Sequence, residues 1–250
     1  MKKVIGGAML IALCFSCSRQ QYVVTSLQAQ RQPIVAADYP RTGGEVEVLV
    51  EKYKVKLDNE MNQVIGVSTQ DMTYARPESL LTNLTSDVME AYGEKYTSGA
   101  CDLACMNVHG HRANLAKGDI TVGNIFEIYS FENTLVLIKL KGNDLLDAFE
   151  SYAKMGGAGI SSTVKLIVKD GKLQSATVKG QPVDKDKVYT IITLDYLADG
   201  NDGLEAFKNS LEVIEPGITL RDAMMQYVKD QTASGKEISS VLDGRITIEK

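Results

Sequence analysis

Asn107, His109, His111 and Arg112 crowd one short stretch, "NVHGHR", and His109 and His111 are the chain's two histidines. A mononuclear metal centre would need helical i, i+4 spacing or a nearby carboxylate, and neither is present. A two-metal hydrolase centre needs several Asp, His and Asn ligands from separate strand ends, more than two histidines provide. A histidine-activated nucleophile would need a Ser or Cys partner, and the chain has no nucleophile elbow. The histidines therefore read as loop or rim residues. Their flanks carry more chemistry: Arg112 offers a planar, permanently charged donor fork suited to phosphate, and Asn107 an amide beside it. Cys101 and Cys105 lie in a stretch that reads as a buried strand, where their separation of roughly 13 Å is too long for a disulfide. With too few companions for zinc, they read as small core residues.

The elements that must position these residues follow from periodicity. Val46, Leu49, Val50, Tyr53, Leu57 and Met61 recur at helical spacing, predicting an amphipathic helix, and "QVIGVST" predicts a strand. "PESLLTNLTSDVMEAYGEKY" predicts a helix opening at Pro77 with Glu78 in its first turn. After a strand over Asp102 to Met106 and the histidine loop come a short helix near Val122 to Ile128 and the alternating strand "TLVLIKLKG". Asn143 is the expected cap of the next helix, which should break at Gly156-Gly157. "TVKLIVKDGKLQSATVKG" holds an Asp-Gly turn between alternating runs, a hairpin. "KVYTIITLDYLADGNDG" is a buried strand running into a glycine-flanked loop. A helix over Leu220 to Gln231 and a strand in "RITIEK" close the chain. The interleaving predicts an α+β fold, a mixed sheet with packed helices.

The chain has 250 residues, 44% of them hydrophobic, with a net charge of -5 and a pI near 5.2. That is length enough for one sizeable core. The acidic balance leaves no electrostatic footprint for a nucleic-acid polymer. The opening "MKKVIGGAMLIALCFSCS" has two lysines, an apolar run too short to span a bilayer, then small residues before a cysteine. It reads as an export signal, and Ser16-Cys17 resembles a bacterial lipoprotein processing site. The expected organisation is a lipoprotein signal over 1–16, a polar tether over 17–42 from a lipidated Cys17, and one domain over 43–250. A cleaved, soluble secretory signal is the alternative. The expected location is membrane-anchored, facing periplasm or cell surface.

Four ordered blocks resemble a known family, the C-terminal substrate-binding domain of bacterial and animal 5'-nucleotidases and related periplasmic nucleotide esterases. "PESLLTNLTSDVM" is similar to the family helix Glu-Ser-x-Leu-Gly-Asn-Leu-x-x-Asp-Ala-Met, with Glu78, Asn83 and Asp87 in register. "NVHGHR" resembles the Asn-Gly-Gly-Gly-Ile-Arg loop, keeping Asn107, Gly110 and Arg112. "GDITVGNIFEIYSFENT" resembles the Gly-x-Ile-Thr segment that runs into a Pro-Phe-Gly-Asn turn. "YLADGNDG" resembles the loop aromatic-Leu-Ala-x-Gly-Gly-Asp-Gly. The resemblance spans about Glu45 to Glu205. It implies that Phe131 and Tyr196 sandwich a nucleobase, Asn133 meets the base edge, Asn107 and Arg112 face the phosphate, and Asp202 holds the ribose hydroxyls. The residue types agree: base stacking on aromatic rings contributes roughly 1 to 3 kcal/mol per base, and a carboxylate accepts from adjacent hydroxyls. Taken singly, Phe131 reads as core, Arg112 as a solvated charge and Asp202 as a turn residue; their joint order carries the assignment.

The family's metallophosphatase domain, which supplies the metal ligands, lies N-terminal to this one, where this sequence has a signal and a tether. The expectation is that this chain holds no catalytic residue, metal or cofactor, and that a divalent metal pair belongs to a separate metallophosphatase chain. The alternative is a non-catalytic binding or scaffold lipoprotein with a degenerate pocket. Val108, His109 and His111 replace two glycines and an isoleucine of the loop, Ser130 a proline, Glu132 a glycine and Asn201 a paired glycine. Thr163 stands where the family has a glycine beside the base, and Arg76 is an offset match to a second phosphate-side arginine. Bulkier groups there would narrow the pocket, and Glu132 would add negative charge beside Phe131.

Overall fold

The computed structural model describes residues 24–33, 35 and 43–249, so Cys17 and the expected signal lie outside the described residues. The chain divides into two units, Met1–Leu49 and Val50–Lys250. In the first, residues 24–33 are exposed and have no regular secondary structure. The helix expected from the apolar spacing forms as α1 (Glu45–Met61) but contains no buried residue. Tyr53, for instance, is 65% exposed. Periodicity specifies a helix with an apolar stripe; it does not specify a surface to cover that stripe.

The second unit rests on three sheets. β1 (Val64–Ser68) pairs antiparallel with β3 (Gly118–Thr121). β2 (Leu103–Met106), β4 (Leu135–Lys141), β5 (Gly159–Ile160), β9 (Val188–Leu194) and β10 (Glu212–Ile214) form the central sheet in the order β10-β4-β9-β2-β5. β9 runs parallel to β2 and antiparallel to β4, so this sheet is mixed. Its inner strands are nearly continuous apolar runs because both faces are covered. The Asp-Gly hairpin joins β6 (Val164–Lys169) to β7 (Lys172–Val178), with Asp170 and Gly171 both at positive φ. β8 (Gln181–Pro182) and β11 (Ile246–Glu249) complete that third sheet. Five helices cover these sheets: α2 (Leu80–Tyr96), α3 (Val122–Ile128), α4 (Gly142–Lys154), α5 (Asp195–Ala198) and α6 (Leu220–Ala233). Among the described residues no helix is long and apolar enough to cross a membrane.

Two helix starts differ from expectation. α2 begins at Leu80, not Pro77, because Ser79 and Thr82 form a reciprocal capping box. Glu78 is thereby outside the helix, where it accepts from the Asn83 side chain at 2.7 Å and from the amides of Asp243 and Arg245. α4 begins at Gly142 with Lys141 as its cap residue, and Asn143 sits inside the first turn; its amide donates to the Lys185 carbonyl, so a tertiary contact replaces the local cap. The break at Gly156 and Gly157 is as expected, both at positive φ. Cys101 and Cys105 are free and fully buried.

Candidate functional site

The loop after β2, the turn after α3, and α5 with the loop that follows it converge. Asn107, Arg112, Phe131, Asn133, Tyr196 and Asp202, all six residues singled out in the sequence, line one cleft of about 300 Å³ together with His109 and Gly110. Phe131 and Tyr196 expose 51% and 42% of their surface, far more than core rings would. The Arg112 guanidinium lies 5.5 Å from the centroid of Phe131, a cation–π distance that holds the charge beside the ring.

A hydrogen-bonded chain links three of these residues. Asn107 Nδ2 donates to Asp202 Oδ2 at 2.7 Å, and the Tyr196 hydroxyl donates to Asp202 Oδ1 at 3.0 Å. The Asp202 carboxylate holds the Tyr196 phenol above its ordinary pKa by accepting that bond. Asp202 itself sits at φ +53°, a left-handed conformation that Asp tolerates, between Gly200 and Gly203, which share that region. Gly110 is needed for space: a Cβ there would lie 2.6 Å from Asn107 Oδ1. That oxygen is buried and has no hydrogen-bond partner.

Arg221, in the first turn of α6, fixes the turn that carries Phe131. Its Nε donates to the Tyr129 carbonyl at 2.8 Å, and its Nη2 donates to those of Ser130 and Phe131. Its guanidinium also stacks 4.4 Å from the Phe126 ring centroid. Its Nη1 is 3.5 Å from Glu132, whose carboxylate is thereby paired with Arg221 and does not line the cleft. Thr163, expected beside the base, instead donates to Glu90 at 2.8 Å and lines no part of the cleft.

The two histidines part company. His109 is exposed and lines the cleft. His111, expected at the rim, is 1% exposed. It contacts the Thr85 hydroxyl at 2.9 Å and the Val108 carbonyl at 3.0 Å, and stacks on Tyr74. Burial pushes its pKa down to about 4. Both ring nitrogens are thus committed, and burial pushes the Cys101 and Cys105 thiols up to about 12. Among the described residues no three His, Cys, Asp or Glu side chains converge as a metal site. The described residues do not fit a divalent metal pair.

A second chamber of about 370 Å³ shares Asn107, His109 and Asp202 with the first and adds Arg76, Tyr152, Met155 and Leu204. Arg76 Nη1 donates to the carbonyls of Met155, at 3.1 Å, and Gly157. Arg76 thus lines this chamber and not the one bearing Arg112. Tyr152 and Arg221 carried no signal in the sequence, because one reads as a helix-face apolar residue and the other as a surface charge.

The family described as 5'-nucleotidase, C-terminal domain, matches residues 64–209, a span that contains all six cleft residues. Protein UshA of Escherichia coli strain K12 is 28% identical over 182 residues, covering 71% of this chain and 32% of its own. The NAD 5'-nucleotidase of Haemophilus influenzae is 26% identical over 195 residues, covering 65% and 32%. Among solved structures, a 5'-nucleotidase precursor from Thermus thermophilus superposes with a TM-score of 0.71 at 26% identity, over 81% of this chain and 42% of its own. The chain spans about a third of the length of these curated relatives.

Proposed function

The chain belongs to the 5'-nucleotidase C-terminal domain family, and from that premise we propose that its cleft clasps the nucleoside of a nucleotide whose phosphoester is hydrolysed by a metallophosphatase centre on a separate chain. The observation that carries this reading is the convergence of Phe131, Tyr196, Asn133, Asn107, Arg112 and Asp202 on one cleft. Its volume suits one nucleoside, at the small end of ligand sites, which run from about 300 Å³. In this reading the base stacks on Phe131 and Tyr196, and Asn133 meets its edge. Each Asp202 oxygen already accepts one donor and keeps a lone pair for a ribose hydroxyl. Arg112 and Asn107 hold the phosphate, so the domain orients the reacting bond and does not break it. The lipid on Cys17 anchors the exported protein to a membrane, facing periplasm or cell surface.

The bonds already made to Asp202 favour a second reading, a non-catalytic scaffold lipoprotein whose pocket has closed on itself. Titrating the full chain with adenosine and AMP by calorimetry separates the two. The clasp requires binding of both ligands that Phe131→Ala and Tyr196→Ala each weaken about tenfold or more. Absence of heat with both ligands on the folded chain would leave the scaffold.

A further inference from the structure

We propose that His111 is a positioning residue for the clasp: it holds the loop of Asn107 and Arg112 against the turn of Phe131, so the two sides of the nucleoside site are set before a ligand arrives. This rests on the nucleoside reading above. Three segments meet around its ring: its own loop through the Val108 carbonyl, α2 through Thr85, and the end of α3 through Tyr129, which bonds Thr85. Tyr74, from the segment ahead of α2, stacks on the ring with centroids 5.8 Å apart. His111, Thr85 and Tyr129 are buried and none of them lines the cleft, so the ring acts through the residues it holds.

The bonds run in one direction. The Val108 carbonyl, 3.0 Å from Nδ1, can only accept, so Nδ1 carries the ring's proton. Burial keeps a second proton off the ring at neutral pH, which leaves Nε2 as an acceptor. The Thr85 hydroxyl, at 2.9 Å, is its donor. Thr85 has a single proton to give, so the Tyr129 phenol, 2.7 Å away, donates to the Thr85 oxygen. The Leu81 carbonyl, 2.8 Å from Thr85 Oγ1, is a competing acceptor. A proton given there would leave Nε2 buried without a donor, the costlier arrangement. The chain Tyr129, Thr85, His111, Val108 thus starts two residues before Phe131 and ends one residue after Asn107. Beside it, the Arg112 amide donates to the Ile128 carbonyl at 2.9 Å, and the Arg112 guanidinium lies next to the Phe131 ring. An aliphatic side chain could fill the space of the imidazole; only the imidazole both accepts from Thr85 and donates to Val108.

Calorimetric titration of the full chain with adenosine tests this, with thermal melting to show each variant folded. His111→Ile and Thr85→Val each put an apolar side chain in place of the polar one and should weaken adenosine binding about tenfold through lost pre-organisation. Thr85→Ser, which keeps the hydroxyl, should bind within about twofold of wild type. Because both positions act on one chain of bonds, the double variant His111→Ile, Thr85→Val should lose no more affinity than either change alone. A purely structural role would lower the melting temperature and leave the affinity of the folded variants as in wild type, and that outcome overturns the proposal. Losses that multiply to about a hundredfold in the double variant overturn it too, as does a Thr85→Ser affinity no better than that of Thr85→Val. If His111→Ile does not fold, the contrast between Thr85→Val and Thr85→Ser decides alone. Folded wild type that binds no adenosine overturns the clasp and this inference together, whereas wild-type binding that the variants leave untouched overturns the inference and spares the clasp.

Discussion

A buried imidazole that stays neutral makes folding sensitive to acid. The unfolded chain protonates His111 near its ordinary pKa of 6.5, whereas the folded chain resists until about 4. The unfolded state therefore binds the extra proton between these values, so the contribution of His111 to stability is complete above pH 6.5 and is lost as pH falls towards 4. Over that window the loss amounts to about 3 kcal/mol. Urea unfolding of wild type and His111→Asn from pH 7 to 4.5 should show the difference between them narrowing by about 2 to 3 kcal/mol; parallel profiles would mean an imidazole free to ionise in place. His111 also marks the limit of reading single residues. Asn107, Arg112, Phe131, Asn133, Tyr196 and Asp202 were found through the order of four motifs, which reports that loops meet. Whether the ring two residues beyond His109 points outward or inward depends on Thr85 and Tyr74, from segments no local pattern connects to it.

Elements hold the cleft from behind. Arg221 ties α6 to three successive carbonyls from Tyr129 to Phe131, so it fixes the Phe131 turn without lining the cleft. Loosening that turn would leave the ring to be ordered at the moment of binding. Arg221→Ala should weaken adenosine binding about tenfold through that lost pre-organisation, and an unchanged affinity would show the turn to be rigid without it. A second arginine joins α2 to the chain's end. Arg245, 1% exposed, makes paired bonds to Asp87 at 2.9 and 3.0 Å and meets Asp243 at 3.0 Å. Asp87 is 40% exposed on its side chain, so the two partners are unequal. Removing the Asp87 carboxylate leaves the buried guanidinium with Asp243 as its one anionic partner among the described residues, whereas removing the guanidinium frees a carboxylate that reaches water. Asp87→Ala should therefore cost more than Arg245→Met, about 3 kcal/mol against less than about 2 in urea denaturation; the reverse order would locate the stability in the arginine's packing. The helices and long strands were legible because their periods are local. The start of α2 was not, since Ser79 and Thr82 outcompete Pro77 through a pair of reciprocal bonds. The two- and three-residue strands β5, β8 and β10 carry too little alternation to announce themselves.

At the scale of the whole molecule, recognition and bond breaking make different demands on a chain. A nucleoside clasp needs rings, an amide, a guanidinium and a carboxylate on loops held by a rigid sheet, and those groups line the cleft here. A metallophosphatase centre needs several converging imidazoles and carboxylates, and among the described residues none are gathered. The α+β class was readable from the interleaving of helical and alternating periods. The second chamber was not, because Arg76, Tyr152 and Leu204 come from three distant segments and meet only when β2, β4 and β9 lie side by side. The proposed division of labour has a direct consequence for the 250-residue chain. AMP incubated with it and Mn²⁺ or Zn²⁺ should release no inorganic phosphate above the buffer rate in a colorimetric assay. The heat of adenosine binding should persist after treatment with a chelator, since no residue of the clasp needs a metal to take its position. Phosphate released in proportion to the chain, and abolished by the chelator, would place a reaction centre on this polypeptide. Chelator-sensitive adenosine binding without hydrolysis would instead mean that a metal orders the cleft, which the direct bonds among Asn107, Asp202 and Tyr196 make unnecessary.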